Sequence, residues 1–355
     1  MSYFIVDSKD NNSLSHTERG IIYRKDLEQN KLVCKTFPYT QEFSTEQKDE
    51  INQYLDNGEW KFYPSYEGTI IRIVNDVDNG NRFIATHKKI NAFDSRWGSS
   101  KSFGELFQES IQEHYMNTNN IELYDIFETF INSLSKDKHH TFLLCSNLDT
   151  RMVCSRDGEV FYVGSFDAST NEFVGFTEDV SKFCGVIKEL DTVKNTDNVI
   201  DYVDDVNPLL CQGIIAVRQD KFEAFKVMNG YYMSLARLRN NNPNLMMRYL
   251  ELYLTKSDLL EEFTIFFSNM NDSFKYIENT FIKLVFLLQN IYKKRYIQRA
   301  YVHTTPVLHN FLKSLVERGL EKDEAKLNGI IKEELGKLNV GVVYSMILNY
   351  FDIVE

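Results

Sequence analysis

Residues 69–86 read TIIRIVNDVDNGNRFIAT, and this stretch predicts a β-hairpin. Thr69 to Val74 is rich in β-branched residues, which pack well on a pleated sheet. Asp78-Asn79-Gly80-Asn81 is a turn sequence, because Asn and Gly readily adopt the left-handed backbone conformations of tight hairpins. Arg82 to Thr86 is then the returning strand. We therefore expect an antiparallel sheet in this part of the chain.

Signals of the same kind recur on both sides of this hairpin. They predict a hairpin in Gly20–Phe37, three short strands (Thr141–Cys145, Arg151–Ser155 and Val160–Gly164), and a further hairpin formed by Gly213–Val217 and Phe222–Val227. Helical signals mark Ser44–Leu55, with Ser44 as N-cap, and also Phe103–Tyr115, Ile121–Leu134 and Glu178–Leu190.

The pattern changes after Asn240-Asn241-Asn242-Pro243. Amphipathic helices are predicted beyond it in Leu245–Leu254, Leu259–Phe267, Phe274–Tyr292, Val307–Val316, Ala325–Leu338 and Val340–Tyr350. The sequence therefore predicts an α+β protein with a β-rich domain over 1–240 and an all-helical domain over 241–355.

Composition narrows the kind of protein. The chain has 355 residues and a formal net charge of −11, which argues against a general affinity for polyanions but leaves room for a local basic groove. Its five cysteines are scattered without a CxxC pair, so we expect buried thiols in a reducing compartment. We find no signal-peptide pattern, and the apolar run Phe281–Leu288 is too short to span a bilayer. We expect a cytoplasmic protein that does not enter membranes.

Two segments carry candidate chemistry. Tyr63–Thr69 places Glu67 and Gly68 at the entrance of the strand that carries Arg72, where backbone without a side chain can approach a ligand; the alternative is a plain turn. The second segment, 86–97, combines cations with aromatic rings, which suits phosphates and bases, although a solvated loop is the alternative. Its candidate RNA-binding residues are His87, Lys88, Lys89, Arg96 and Trp97.

The succession of these segments resembles the covalent nucleotidyltransferases. Arg19-Gly20, the Glu67-Gly68 strand, the basic hairpin, the Phe142 strand and the Gln212-Gly213 strand follow one another in that family's order. More closely, the chain looks like the phage tRNA-repair type of RNA ligase, and in particular like its relatives in large DNA viruses. The resemblance implies an antiparallel-sheet nucleotidyltransferase domain of ATP-grasp-like form followed by a helical domain. It also implies ATP and Mg²⁺ as cofactors, RNA or nucleotide as partner, viral or replication proteins as further partners, and the host cytoplasm as location.

The same resemblance exposes departures from the family. Ser65 stands where the family has the lysine that accepts AMP, and Glu67 keeps the acid of that motif. Leu143 and Gln212 stand where two further carboxylates are expected. In the paired-lysine motif only Lys226 remains.

The resemblance also assigns roles to the residues that remain. It makes Arg19, Gly68, Arg72, Gln212 and Lys226 candidate nucleotide contacts, and Glu67 a weak candidate metal ligand. We expect Glu67, Lys88, Lys89, Gln212 and Lys226 to surround one cleft between antiparallel sheets.

The missing lysine leads to three hypotheses. A serine hydroxyl is a poor nucleophile without a base, so the first is a protein that binds RNA or nucleotide without covalent catalysis. The second is an active ligase with a relocated lysine. Lys61 is its candidate, although on a strand it would lie about 13 Å from position 65. The third is an interaction protein that reuses the fold.

The helical part carries a basic patch of its own. Tyr292-Lys293-Lys294-Arg295-Tyr296 continues into Arg299 and Tyr301. These cations either suit the C-terminal end of a helix dipole or follow a phosphate backbone, and the sequence leaves both open.

Overall fold

The computed structural model describes residues 2–6, 19–26, 29–37, 40–56, 58–97, 99–119, 125–145, 153, 156, 158–218, 223–240, 242, 244–317 and 326–349. The chain divides into two compact units, 1–237 and 238–355. The first is α+β with largely antiparallel sheets and the second is helical.

The strands of the first unit form three sheets among the described residues. The strands are β1 (Ser2–Ile5), β2 (Ile22–Lys25), β3 (Lys31–Cys34), β4 (Gln41–Ser44), β5 (Lys61–Ser65), β6 (Thr69–Asp76), β7 (Asn81–Thr86), β8 (Lys138–Cys145), β9 (Glu159–Asp167), β10 (Phe173–Gly175), β11 (Gly185–Val186), β12 (Gly213–Arg218) and β13 (Glu223–Met228). The sheet orders are β1-β2-β3, β10-β9-β8-β6-β7 with β11 beside β9, and β4-β13-β12-β5.

The predicted hairpin at residues 69–86 is confirmed. β6 and β7 pair antiparallel from Ile71↔Thr86 to Asp76↔Asn81. Gly80, in the turn, has a φ of +68°, which a residue without a side chain adopts at little cost. The hairpins β2–β3 and β12–β13 are confirmed as well, whereas the turn at 219–222 and most of the strand predicted for Arg151–Ser155 lie outside the described residues.

Successive side chains of β6 point alternately into two different hydrophobic cores. Ile71 and Ile73 point into a cluster shared with β8, β9 and two helices, while Val74 joins a cluster with the β2–β3 hairpin. Successive side chains of a strand point to opposite faces, so Arg72 shares its face with Val74. The four-stranded sheet has its own core, built around Phe225 and Ile214.

The helices begin and end close to the predicted positions in most cases. They are α1 (Lys48–Leu55), α2 (Phe103–Asn119), α3 (Ile126–Ser133), α4 (Thr196–Asp205), α5 (Gly230–Arg239), α6 (Leu245–Leu254), α7 (Leu259–Phe266), α8 (Asn271–Tyr292), α9 (Pro306–Glu317), α10 (Leu327–Gly336) and α11 (Val340–Leu348). A π-helical turn, Lys293–Ile297, follows α8. The second unit packs mainly around α8, whose Leu284 and Leu288 are fully buried.

Two sequence predictions are wrong. Ser44 is not an N-cap: it ends β4, its backbone pairs with β13, and its N–H donates to Gln47 Oε1 at 3.0 Å. Glu178–Leu190 is not a helix, because Gly185 and Val186 pair with β9 in parallel. A Cβ at position 185 would lie 2.8 Å from a Phe161 ring carbon, so the absence of a side chain at Gly185 lets this ring pack against the strand.

Cys34, Cys145, Cys184 and Cys211 are buried free thiols, and the fifth cysteine lies outside the described residues. Within the described ranges, no helix is both long enough and apolar enough to cross a bilayer.

Candidate functional site

Three side chains predicted from the sequence meet in the four-stranded sheet. β12 lies between β5 and β13, so Ser65 at the end of β5 faces Gly213, and Lys226 faces Ile215. Ser65 Oγ donates to Gln212 Oε1 at 3.1 Å, and Lys226 Nζ donates to the same oxygen at 3.2 Å. We call Ser65, Gln212 and Lys226 the amide cluster.

Gln212 is held from several directions. Its Nε2 donates to the Tyr232 hydroxyl at 2.7 Å, its backbone N–H donates to Ser65 O at 2.8 Å, and its carbonyl accepts from Asn229 N. Gly213 follows with a φ of +144°, and a Cβ there would overlap the carbonyl oxygen of Val227. The Gln212 amide is therefore fixed, and its oxygen faces the Lys226 amine.

Burial lowers the pKa of the Lys226 amine, because the charged form loses hydration. The carboxylates of Glu42 and Glu67 act in the opposite direction. Glu42 Oε1 lies 4.0 Å from Nζ, and the Lys226 side chain is 22% exposed. The result is a partly covered amine that gives up its proton more readily than a surface lysine does.

Residues 66–68 connect the four-stranded sheet to the six-stranded sheet. Within this crossover, Glu67 Oε2 accepts from the backbone N–H of Val153 at 2.7 Å. A Cβ at Gly68 would lie 2.7 Å from Leu143 Cδ1 and 2.8 Å from Leu144 O. Gly68 therefore lets the crossover lie directly against β8, beside Leu143.

Arg72 is buried and donates hydrogen bonds to backbone carbonyl groups. Its guanidinium donates to Gly20 O at 2.6 Å and to Thr86 O at 2.9 Å. Gly20 has a φ of +84°, and a Cβ there would lie 2.8 Å from the His87 ring. Arg72 therefore positions the Arg19-Gly20 turn against His87, and its side chain is buried inside the fold, with Arg72 only 1% exposed.

Residues 87–89, which we call the basic turn, follow β7 and lie near the first residues of β6. Thr86 pairs with Ile71, so the residues after Thr86 lie at the end of the sheet where Thr69 begins. The Thr86 hydroxyl accepts from the N–H groups of Lys88 (3.2 Å) and Lys89 (3.0 Å). Both lysines and Arg96 are exposed, while His87 and Trp97 are half-buried.

The structure brings together some of the residues that were expected to surround one cleft. The amide cluster is joined by hydrogen bonds, and Glu67 acts on the charge of Lys226. Within the described part of the chain, no hydrogen bond or ion pair joins Lys88 or Lys89 to that cluster.

Lys61 stands apart from the amide cluster. It is exposed and paired with Glu189 at 3.1 Å, and this partner raises the pKa of its amine. A nucleophilic lysine needs the reverse.

Two residues near the candidate site, Glu42 and Arg156, could not be predicted from the sequence. Glu42 faces Lys226 because β4 pairs with β13 in parallel, and no local sequence signal marks a parallel partner so far away in the chain. The Arg156 guanidinium lies over the Tyr66 ring, 4.0 Å from its centroid, in the crossover. Arg156 follows a stretch outside the described residues.

The described residues do not include a group of three or more His, Cys, Asp or Glu side chains able to hold a metal ion. Glu67, the candidate metal ligand, already accepts the Val153 N–H with one oxygen. Gln212 is neutral. These residues do not form a divalent-cation site by themselves, whereas the amine of Lys226 and the fixed amide of Gln212 suit phosphate oxygens and hydroxyl groups.

No family model matches the chain. Among solved structures, a lysine mutant of Naegleria gruberi RNA ligase with AMP and Mn overlaps 58% of this chain and 60% of its own chain, at 9% identity and a TM-score of 0.39. The structure of the same ligase with PPi overlaps 58% of this chain and 60% of its own chain, at 11% identity and a TM-score of 0.37.

Two curated proteins are similar in sequence. The immediate-early protein ICP-46 homolog of Invertebrate iridescent virus 6 is 27% identical over 331 residues, covering 89% of this chain and 71% of that protein. The protein of the same name from Invertebrate iridescent virus 3 is 26% identical over 250 residues, covering 68% of this chain and 51% of that protein. The chain is thus similar, over most of its length, to the ICP-46 homologs of two iridescent viruses.

Proposed function

We propose that the first unit is a nucleotidyltransferase-type module of the RNA-ligase kind, related to the phage tRNA-repair enzymes, that binds the phosphates of a nucleotide or RNA without forming a covalent nucleotide at Ser65. The amide cluster carries this proposal, because it presents a fixed amide and a partly covered amine where the family has its nucleophile. The buried thiols support a reducing compartment, for which we propose the host cytoplasm.

Ser65 lacks what a nucleophilic hydroxyl requires. Its Oγ donates to an amide oxygen, which is not a general base at neutral pH. The hydroxyl is also buried, with Ser65 only 3% exposed. Ser65 therefore orients Gln212, and binding falls to the Lys226 amine.

Lys226 suits a phosphate better than it suits its present neighbours. Its Nζ lies 3.2 Å from one neutral oxygen, of Gln212, and 4.0 Å from one carboxylate, of Glu42. A phosphate oxygen would give the amine a charge-assisted hydrogen bond, worth about 1.5–3 kcal/mol. The loss of that bond corresponds to about a 10- to 100-fold weaker affinity.

Equilibrium binding of ATP at low salt tests the proposal. We expect Lys226→Met to weaken binding at least about 10-fold. The matched control is Lys61→Met, in the same sheet but paired with Glu189, and it should change affinity less than about 2-fold. If ATP does not bind the wild-type protein, or binds both variants equally, the amide cluster is not the site.

A second candidate function follows from the same amine. In this candidate Lys226 is the relocated lysine of an active nucleotidyltransferase, because Glu42 Oε1 lies 4.0 Å from Nζ as a proton acceptor and burial lowers the pKa of the amine. In that reaction Nζ attacks the α-phosphorus of ATP and a P–N bond forms. The bond from that phosphorus to the pyrophosphate oxygen breaks, and the amine proton passes to Glu42.

Mass spectrometry after incubation with ATP and Mg²⁺ or Mn²⁺ separates the two functions. The first predicts an unmodified chain together with measurable ATP binding. The second predicts an AMP adduct on the peptide that contains Lys226, lost in Lys226→Met and retained in Lys61→Met. An AMP adduct on any other residue contradicts both.

A further inference from the structure

The second unit contains a pocket of about 370 Å³ beside the basic patch noted in the sequence. It lies where the π-helical turn after α8 is followed by a non-helical segment that leads into α9. Its polar and aromatic lining residues are Arg295, Tyr301, His303, Thr304, His309 and Asn310. The volume falls within the range of pockets that hold small organic ligands such as a nucleotide.

Arg295 supplies the positive charge of the pocket. Its Nη1 donates to Thr304 Oγ1 at 2.9 Å, which fixes the guanidinium at the pocket wall. Among the described residues, no carboxylate forms an ion pair with it. A guanidinium has five N–H donors, so one bond to Thr304 leaves capacity for phosphate oxygens.

Tyr301 supplies an exposed ring. It is 91% exposed, the highest value among the exposed large hydrophobic residues. The backbone before it is fixed, because Ala300 N donates to Lys294 O at 2.8 Å and Arg299 adopts a φ of +55°. A non-glycine residue at positive φ is uncommon, and here it holds the ring in water beside the pocket.

The surface beside the pocket is rich in basic residues. α9 begins there at Pro306 and is capped by Thr305, whose Oγ1 accepts the N–H of Leu308 at 3.4 Å. Lys294 and Arg299 are close in sequence to Arg295, and no Asp or Glu occurs between residues 279 and 316. This surface is locally basic in a chain whose net charge is −11.

We propose that this pocket is a single-stranded polynucleotide site, with a phosphate held by Arg295 and a base stacked on Tyr301. An unpaired base exposes the ring face that an aromatic side chain can cover, whereas a base inside a duplex does not. His309 and Asn310 then contribute hydrogen bonds to the sugar or phosphate. The site belongs to the second unit alone and does not depend on the amide cluster.

Fluorescence anisotropy with labelled single-stranded oligonucleotides tests the proposal on the full chain. We expect Tyr301→Ala to weaken binding about 5- to 100-fold, since stacking on one base contributes about 1–3 kcal/mol. We expect Arg295→Gln to weaken binding and to reduce the slope of log affinity against log salt by about one. Parallel RNA and DNA oligonucleotides show whether the 2′-hydroxyl contributes.

Tyr276→Ala is the matched control. Tyr276 is an exposed tyrosine of the same unit, on α8, at 52% exposure. It should leave affinity within about 2-fold, and Tyr301→Ala should leave the unfolding temperature unchanged because its ring is almost wholly in water.

Three outcomes overturn the proposal. They are equal affinities of the two tyrosine variants, binding of a duplex that is as tight as that of a single strand, and a loss of oligonucleotide binding in Lys226→Met alone. The last outcome places the polynucleotide on the first unit.

Discussion

At the residue scale, Gly68 is needed because the crossover lies against β8. We expect Gly68→Ala to lower the free energy of unfolding by about 1–3 kcal/mol, since a Cβ would crowd both a leucine side chain and a backbone carbonyl. Urea unfolding measures it. Gly329→Ala in α10 is the control, because nothing lies within 4 Å of a Cβ there, and it should stabilise slightly. An unchanged Gly68→Ala protein would contradict the packing described.

His139 predicts an acid-sensitive stability. It is 1% exposed and accepts the Asn75 N–H at Nδ1, and burial lowers its pKa from 6.5 to about 4. Between pH 6.5 and pH 4, His139 is protonated in the unfolded chain but stays neutral in the folded chain. Stability should therefore fall as the pH drops from about 6.5 to 4, by up to about 3 kcal/mol from this residue.

The variant His139→Asn tests this assignment. The Asn oxygen can replace Nδ1 as acceptor and does not titrate. Urea unfolding at pH 7.5 and pH 5 should show a smaller loss of stability in the variant than in the wild-type protein. His140, also buried with a lowered pKa, remains in both and provides the background. Identical losses would place the sensitivity elsewhere.

At the element scale, local hairpins could be predicted from the sequence and remote pairings could not. Residues 69–86 contain both strands and their turn, so the pattern alone predicts the pairing that the structure shows. Glu178–Leu190 failed because parallel pairing with β9 overrode its helical spacing. Glu42 faces Lys226 because β4 pairs in parallel with β13, and the sequence did not predict this pairing either.

The candidate site shows the same division. Ser65, Gln212 and Lys226 could be named from the order of motifs, and the register of β5, β12 and β13 brings them together. The role of Arg72 could not be predicted, because a strand arginine has no sequence signal for carbonyl partners that lie in two separate turns.

Arg72 predicts a shared response of those two turns. In Arg72→Met the carbonyls of Gly20 and Thr86 lose their donor, and we expect faster amide exchange in residues 19–21 and 86–89 with little change in β12 and β13. Hydrogen–deuterium exchange resolves the two regions.

Arg82→Met is the control for this experiment. Arg82 lies on the neighbouring strand and donates to the Ile131 and Leu134 carbonyls, so its loss should loosen the end of α3 instead. Exchange that rises in the same segments in both variants would contradict a specific role for Arg72.

At the scale of the whole molecule, the chain has two compact units and a candidate site in each. Calorimetry should show two unfolding transitions, and each ligand should raise the temperature of the transition of the unit that binds it. We expect ATP to shift one transition and a single-stranded oligonucleotide to shift the other. A shift of the same transition by both ligands would contradict two separate sites. The predicted domain boundary at residue 240 stays a prediction, beside a division of contacts at 237/238.

The covered amine of Lys226 has a consequence for chemical probing. Burial lowers the pKa of this amine, so the unprotonated form that attacks an activated ester is more populated than it is at the ordinary pKa of lysine. Because the side chain is still 22% exposed, a small activated ester should acylate Lys226, and peptide mass spectrometry would locate the mark. A molecule that binds over Lys226 would reduce this acylation, so the extent of labelling at one lysine could be used to screen for ligands of this protein.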